Sequence, residues 1–404
     1  MRSTFRSLKA ALLACSVSMS LSGVAHAEDK AGSWTDNFTL GAYVDAYGAL
    51  RSDSNRRRLP VVDGSKVYGS NVPNGTNAGP QVTNGWDAYV QNSGFTLASA
   101  GLDAAYSGEK FGATISLRFG PSVNRFYAQD QSPFGIENIL QAYATWKPFS
   151  KLTLDMGQFY TIYGAEVFES WRNMNYSRGA LYYSMQPFWH TGLRANLAVT
   201  DKLAINALLV NGVNTAYEGN KSPSLGLQVV ATPTDELFFA VGWLGGLTPR
   251  DGDDEALATK NFQDFFDFVG TGTFGDFKVV LNADLNLYKV KGSGDLENWW
   301  GVSVAPGYSF TNWFGAAARV EYLSDSANSQ LIQGYVTGAP VAGKTHLTTL
   351  TGTLDFKPVP NSSALVIRPE FRYELASDDS YKNWDGDPEK KFWSLALGAV
   401  VTSM

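Results

Sequence analysis

Strict two-residue alternation, repeated along most of the chain, constrains the fold more than any other feature. Phe38, Leu40, Ala42, Val44 and Ala46 alternate with Thr39, Gly41, Tyr43, Asp45 and Tyr47. Ile367, Phe371, Tyr373 and Leu375 alternate with Arg368, Glu370, Arg372 and Glu374. This period puts apolar side chains on one face of a strand and polar ones on the other. Sixteen such segments are predicted, near 37–50, 94–107, 111–120, 137–147, 152–160, 188–199, 203–212, 222–232, 237–246, 261–273, 277–290, 297–310, 313–324, 347–357, 365–377 and 391–404. Beyond the N-terminal segment no stretch approaches the roughly 18 consecutive apolar residues of a membrane helix. The chain is therefore predicted to be all-β.

The connections alternate in length. SGEK, KPFSK, TDK, TPTDE, TFGD, FTNW and KPVPNSS are tight and carry turn residues. Segments 51–93, 121–136, 161–187, 213–221, 247–260, 291–296, 325–346 and 378–390 are mostly longer and polar. Short turns at one end and long loops at the other predict a transmembrane antiparallel up-and-down β-barrel of sixteen strands, with both chain ends on the short-turn side.

The polarity agrees. Arg118, Asp155, Arg194, Asn206, Asn282, Asp284, Arg319, Glu321, Arg368, Glu370, Arg372 and Glu374 occupy the face opposite the hydrocarbon rows. A soluble barrel of ordinary size would need its polar face outside. A sandwich of this length would normally split into domains, and a β-helix would show a fixed repeat. Trp146, Phe149, Phe277, Phe310, Trp313, Phe314 and Phe356 fall beside short turns, and Trp243, Trp299, Trp300 and Trp393 toward the long loops. Both groups are expected in interfacial girdles.

The chain opens MRSTFRSLKAALLACSVSMSLSGVAHAEDK. A basic start, an apolar run and Ala25-His26-Ala27 predict a signal peptide over 1–27 and a single barrel domain over 28–404. Removing 27 of the 404 residues takes Arg2, Arg6, Lys9 and the only Cys, leaving 29 basic against 38 acidic side chains. That composition argues against a disulfide scaffold, a thiol enzyme and nucleic-acid binding. With only His190 and His346 left, no metal site and no cofactor are expected.

A sixteen-stranded interior is too wide for wall side chains alone to fill, and residues 28–36 are too short to be a plug. The narrowing is expected from an infolded loop or from the inward charges named above; the candidate loop follows the fifth strand, 161–187, TIYGAEVFESWRNMNYSRGALYYSMQP. It sets Glu166 and Glu169 against Arg172 and Arg178, with Tyr176 among several tyrosines. Opposed charges across a pore order permeants by charge and dipole. Arg194 and Arg118 are expected behind them on the wall, and Ser177 and His190 as loop anchors.

Two stretches, LTLDMGQFYTIYGAEVFES and NMNYSRGALYYSMQPFWHTGLRANLAVTDKLAINALLVNG, resemble the OmpL-like β-barrel porins of Gram-negative outer membranes. The resemblance rests on Gly157, Phe159, Gly164, Glu166, Asn173, Asn175, Tyr176, Ser177, Arg178, Pro187, His190, Gly192 and Arg194. It implies an outer-membrane pore without naming a permeant. The expected partners are outer-membrane lipid, lipopolysaccharide and small hydrophilic solutes or ions, in a homotrimer or a monomer. Two rival functions stand against this. A Ser177–His190 hydrolase would need the two within hydrogen-bond reach and a third orienting group. A closed receptor, adhesin or structural barrel would bind divalent cations at the acidic surface loops RDGDDEA and DDSYKNWDGDPEK, while the basic SNRRRLP would meet anionic head groups or funnel anions. Neither acidic loop has the full ligand spacing of a calcium loop.

Overall fold

A computed structural model describes residues 37–52, 61–62, 65–66, 93–123, 138–217, 222–247, 262–289, 296–326, 343–359, 362–385 and 387–403. The predicted signal peptide, the whole basic SNRRRLP run and the acidic 250–256 loop lie outside them.

Sixteen antiparallel strands close into one barrel. They are β1 (Phe38–Arg51), β2 (Gly94–Ser107), β3 (Phe111–Phe119), β4 (Ile139–Phe149), β5 (Leu152–Tyr160), β6 (Trp189–Thr200), β7 (Leu203–Val210) and β8 (Ser224–Ala231). The second half comprises β9 (Leu237–Leu247), β10 (Phe262–Phe274), β11 (Phe277–Lys289), β12 (Leu296–Ser309), β13 (Phe314–Asp325), β14 (Thr345–Phe356), β15 (Leu365–Ala376) and β16 (Lys391–Thr402). Every expected strand is present, with its ends within two residues of the expected ones. Each strand pairs with its chain neighbours, and β1 closes on β16, Tyr43 opposite Thr402 and Arg51 opposite Ser394. Closure leaves no unpaired edge, as a bilayer demands of any spanning sheet.

Parity decides what faces outward. In β16, Phe392, Ser394, Ala396 and Val400 are buried, while Trp393, Leu395, Leu397 and Val401 are exposed. Rows of this kind, including Leu225, Leu227 and Val229 on β8, make an outer surface that suits lipid tails rather than water. All twelve polar residues assigned above to the interior are buried there. At the short-turn end Phe310, Phe314 and Phe356 stack at 5.2 and 5.0 Å between centroids, part of the expected aromatic girdle. Trp299 corrects that expectation. It pairs with Asn286 and Asp325, whose side chains point inward, and is buried, while its neighbour Trp300 faces out. Among the described residues no helix is long and apolar enough to cross a membrane; the strands do so.

Candidate functional site

The segment 161–187 turns into the barrel and packs against most of its circumference. It carries a single 3-10 turn (Ser170–Arg172) and a short helix α1 (Ala180–Met185). At its base His190 is fully buried, its Nδ1 2.8 Å from the Gly212 carbonyl and its Nε2 3.2 Å from Thr161 Oγ1. The descending limb then crosses β8 to β11. Gln228 donates to the Ile162 carbonyl. Tyr163 Oη donates to the Trp243 carbonyl at 2.7 Å. The Gly164 and Ala165 amides donate to Asp267 (3.1 Å) and Asn282 Oδ1 (3.0 Å). Gly164 has φ +83°, a conformation that favours glycine. Position 242 faces inward by parity with Phe238 and Ala240, and only glycine leaves room there for the Tyr163 ring: a Cβ would sit 2.6 Å from it.

The far side of the loop is held by wall charges. A loop with little regular structure leaves backbone groups without internal partners, and a buried one must find them elsewhere. Arg368 Nη1 donates to the Ser170 and Asn175 carbonyls at 2.5 and 3.3 Å. Its Nη2 donates to those of Asn173 and Met174 at 3.1 and 2.8 Å, and its Nε to Asp355 at 2.5 Å. Glu370 accepts from the Tyr176 and Ser177 amides at 2.7 and 3.0 Å. Glu321 accepts from Ala180 and Leu181, both at 3.1 Å. Arg319 donates to the Ser177 carbonyl, and Arg372 to that of Arg178. The returning limb reaches β11 through Gln186, which bonds Asn282 and Asp284.

Against this frame the expected site residues divide. Glu169 is buried and bonded to Arg118 (2.5 Å) and Tyr160 Oη (2.6 Å), while Arg118 also pairs with Asp103 at 2.7 Å. Burial alone would raise the Glu169 carboxyl. The charges of Arg118 and Arg172 and the bonds from Tyr160 and Arg118 hold it down to about 2. Tyr176 is buried, with its Oη 2.9 Å from Asp45 and its ring against Gly398. Arg178 is buried with Nη1 on the Tyr176 carbonyl. Ser177 is buried, its hydroxyl 3.5 Å from Arg372. Glu166 bonds Arg319 at 2.7 Å and the Gly179 amide at 2.6 Å, and borders open space. Arg172 is half-buried and faces the same space. Arg194 stays on the wall, paired with Asp155 at 2.8 Å and lying over the Phe159 and Tyr143 rings.

The structure thus gathers Glu166, Glu169, Arg172, Tyr176, Ser177 and Arg178 into one folded loop with Arg118 beside it. Arg194 and His190 stand apart. Groups outside that set are equally central: Asp45, Gln186, Asp267, Asn282 and the loop-binding charges of β13 and β15. Alternation marked most of the wall residues as inward-facing but could not say which would meet the loop. The acidic 378–390 loop satisfies part of its own backbone, Asn383 accepting from the Asp385 and Asp387 amides. Among the described residues no cluster of His, Cys, Asp and Glu could hold a metal.

The space beside the loop lies against β8 to β11. It amounts to about 1060 Å³, open to solvent, bounded by the descending limb, Arg172, Tyr182, Val230, Phe238, Val269 and Lys278. A smaller space of about 370 Å³ lies toward β12 and β13, between Glu166, Met174, Arg319 and Glu321.

Solved barrels share this architecture. The trimer form of OmpT, an outer membrane protein of Vibrio cholerae, superposes with a TM-score of 0.55 at 15% identity, over 91% of this chain and 100% of that one. An anion-selective porin from Comamonas acidovorans gives 0.55 at 9% identity, over 90% and 99%. Salmonella typhi OmpF, in complex with daunomycin, gives 0.51 at 12%, over 91% and 98%. At such identities the likeness establishes the fold. No curated protein matches the sequence. The family model described as "Putative beta-barrel porin-2, OmpL-like" matches residues 60–402, nearly the whole barrel. The chain belongs to the OmpL-like β-barrel porin family, whose place is the outer membrane.

Proposed function

We propose that this barrel is a channel for passive diffusion of small hydrophilic solutes or ions, narrowed by its infolded loop. One observation carries the reading. The loop is fastened to the wall on nearly every side, yet a solvent-open space remains between it and β8 to β11, edged by Glu166 and Arg172. These two are the residues set to act on a permeant. Glu169, Tyr176, Arg178 and Arg118 hold the loop in shape, Ser177 and His190 fix its course, and Arg194 sets the field of the wall. Planar-bilayer recording of refolded protein tests the proposal: discrete conductance steps are expected, and their ion selectivity should change in Arg172→Gln.

The extent of the docking favours one alternative, a barrel closed at rest that serves as a receptor. Persistent electrical silence from folded protein would establish that reading in place of the first. Hydrolysis is disfavoured on geometry: both His190 nitrogens are engaged by Gly212 and Thr161, and Ser177 is next to Arg372. Export by the 1–27 signal is part of the proposal, tested by sequencing the mature N-terminus. The OmpT trimer supports a homotrimer, to be checked by sedimentation in detergent. The apolar outer band is the surface for lipid and lipopolysaccharide.

A further inference from the structure

Asp155, Glu166, Glu169, Glu321, Asp355 and Glu374 each pair with an arginine inside the barrel. Asp267 on β10 and Asp284 on β11 do not. They stand directly opposite each other across the strand pair, and both are buried. Among the described residues no Arg, Lys or His nitrogen reaches either carboxyl. Asn282 Nδ2 touches both, at 3.1 Å from Asp267 Oδ1 and 3.0 Å from Asp284 Oδ1. The neighbouring strands bring no charge: Gly242 of β9 is opposite Asp267, and Gly301 of β12 is opposite Asp284. The space beside these glycines is taken by the Tyr163 ring and by Leu181 and Met185 of the loop.

Taken oxygen by oxygen, the pair is one hydrogen short. Asp267 Oδ1 accepts from the Gly164 amide and from Asn282. Asp284 Oδ1 accepts from Asn282, and its Oδ2 from Gln186 at 3.1 Å. Asp267 Oδ2 is buried and receives no N–H, while the two side chains are bonded to each other. A hydrogen bond between two carboxyl groups needs a proton on one of them. Two carboxylates in contact, out of water and without a cation, cannot both carry charge. Asp267 Oδ2 is the atom left to hold the proton. The other titratable groups nearby are engaged: Tyr163 Oη donates to the Trp243 carbonyl, and Glu166 and Glu321 share Arg319.

The pair also joins the two limbs of the loop. The Gly164 and Ala165 amides of the descending limb end on Asp267 and Asn282, and Gln186 of the returning limb ends on Asn282 and Asp284. Ala165 lines both spaces beside the loop. We infer that Asp267 and Asp284 form a proton-sharing clasp that fastens both limbs of the infolded loop to β10 and β11. While the proton is held, the clasp stabilises the docked loop. As the pH rises and the proton leaves, two like charges face each other out of water, the limbs loosen and the passage beside Ala165 widens. The inference rests on the channel reading for its effect on current, whereas the proton itself is detected without conduction.

The experiment is infrared difference spectroscopy of the full-length refolded barrel, titrated from about pH 6, where free carboxyls are ionised, to about pH 9. The wild type should lose the carbonyl stretch of a protonated carboxyl over this span, and its melting temperature should fall with it. Asp267→Asn puts an N–H where the proton sat. It should lack that loss of signal, and its melting temperature should fall less. Current should rise with pH in the wild type and stay level in the variant. Asp284→Asn should behave alike and serves if the first variant does not refold; heat-modifiable migration on gels checks folding. No carboxyl signal lost in the wild type overturns the clasp, as does an equal loss in folded Asp267→Asn. A titration midpoint that moves with added calcium at constant ionic strength puts a metal ion between the carboxyls and overturns it too. The expected loss of signal in a barrel that never conducts supports the clasp while refuting the channel. Conductance without that loss does the reverse.

Discussion

The two sides of the lumen wall contrast sharply. From β13 to β15 the inward face carries Arg319, Glu321, Arg368, Glu370, Arg372 and Glu374, all buried. From β7 to β10 it carries Ala204, Leu208, Val230, Phe238, Ala240, Leu244, Phe265 and Val269, with Asn206, Gln228, Asp267 and Thr271 among them. Intuition assigns water to the charged side. The structure does the opposite: charges are covered by the loop whose backbone they satisfy, and a solvent-open space adjoins apolar residues. Inward charges in a barrel of this width can therefore be internal fasteners. A loop with few internal hydrogen bonds stays inside only where the wall supplies donors and acceptors.

The largest effect expected from this contrast is in Arg368→Ala. It strips the donor from Ser170, Asn173, Met174 and Asn175 at once and leaves Asp355 without its partner. Breaking a buried charged pair costs about 3–5 kcal/mol. Urea unfolding of the refolded barrel should show a loss of that order, with larger or noisier conductance as the loop comes free. Arg368→Lys should rescue only part, because an ammonium lacks the planar fork. Val230→Ala, on the other side, should cost only about 1–2 kcal/mol. Equal losses at the two positions would dissolve the distinction between fastening and lining walls.

Acid attacks a separate fastening of the loop, to β3 and β5, through Glu169. Its carboxyl is held at about 2 in the folded loop, below the usual value of about 4.3 for the unfolded chain. The folded state thus gains stability from this group above about pH 4, and loses it as the pH falls toward 2. The span corresponds to about 3 kcal/mol at most. Unfolding midpoints should fall over this window in the wild type, with a shallower fall in Glu169→Gln. An identical pH profile in the variant would show that the Arg118–Glu169 contact does not hold the loop.

The glycines give a matched pair of smaller effects. A Cβ on Gly398 would run into the Tyr176 ring, whereas one on Gly352 would meet nothing within 4 Å. Gly398→Ala should cost about 1–3 kcal/mol through overpacking. Gly352→Ala, outward on β14, should be neutral or slightly stabilising. Thermal unfolding of both variants decides whether the loop is pressed against β16 as tightly as its docking requires.

How much of this was legible in the sequence follows from where period two is clean. β15 announces itself because Arg368, Glu370, Arg372 and Glu374 stand against hydrocarbon. In LFFAVGWL, both faces of β9 are apolar, so alternation cannot show that Phe238 and Ala240 look into the lumen. The apolar chamber was invisible for that reason. Trp299 and Trp300 are adjacent and must face opposite ways, a fact that counting aromatics at strand ends overlooks. The density of tyrosines in 161–187 pointed to infolding, and Tyr163, Tyr176 and Tyr182 are indeed buried. The loop's choice of partners was out of reach. Arg368 meets Ser170 across 198 residues, a contact fixed by barrel closure and register rather than by local pattern.

The smallest expected effect tests whether the loop's one serine beside Arg178 is anything more than a fastened residue. Ser177→Ala keeps the backbone amide that Glu370 accepts and the carbonyl that Arg319 reaches. It removes only a hydroxyl 3.5 Å from Arg372, a long contact. The loss in stability should stay within about 1 kcal/mol, and the conductance should be unchanged. A nucleophile would behave otherwise: its removal would abolish turnover while leaving stability alone. Wild-type protein that cleaves a p-nitrophenyl ester, with the activity gone in folded Ser177→Ala, would place chemistry on the charged side of the lumen and end its description as a fastening wall.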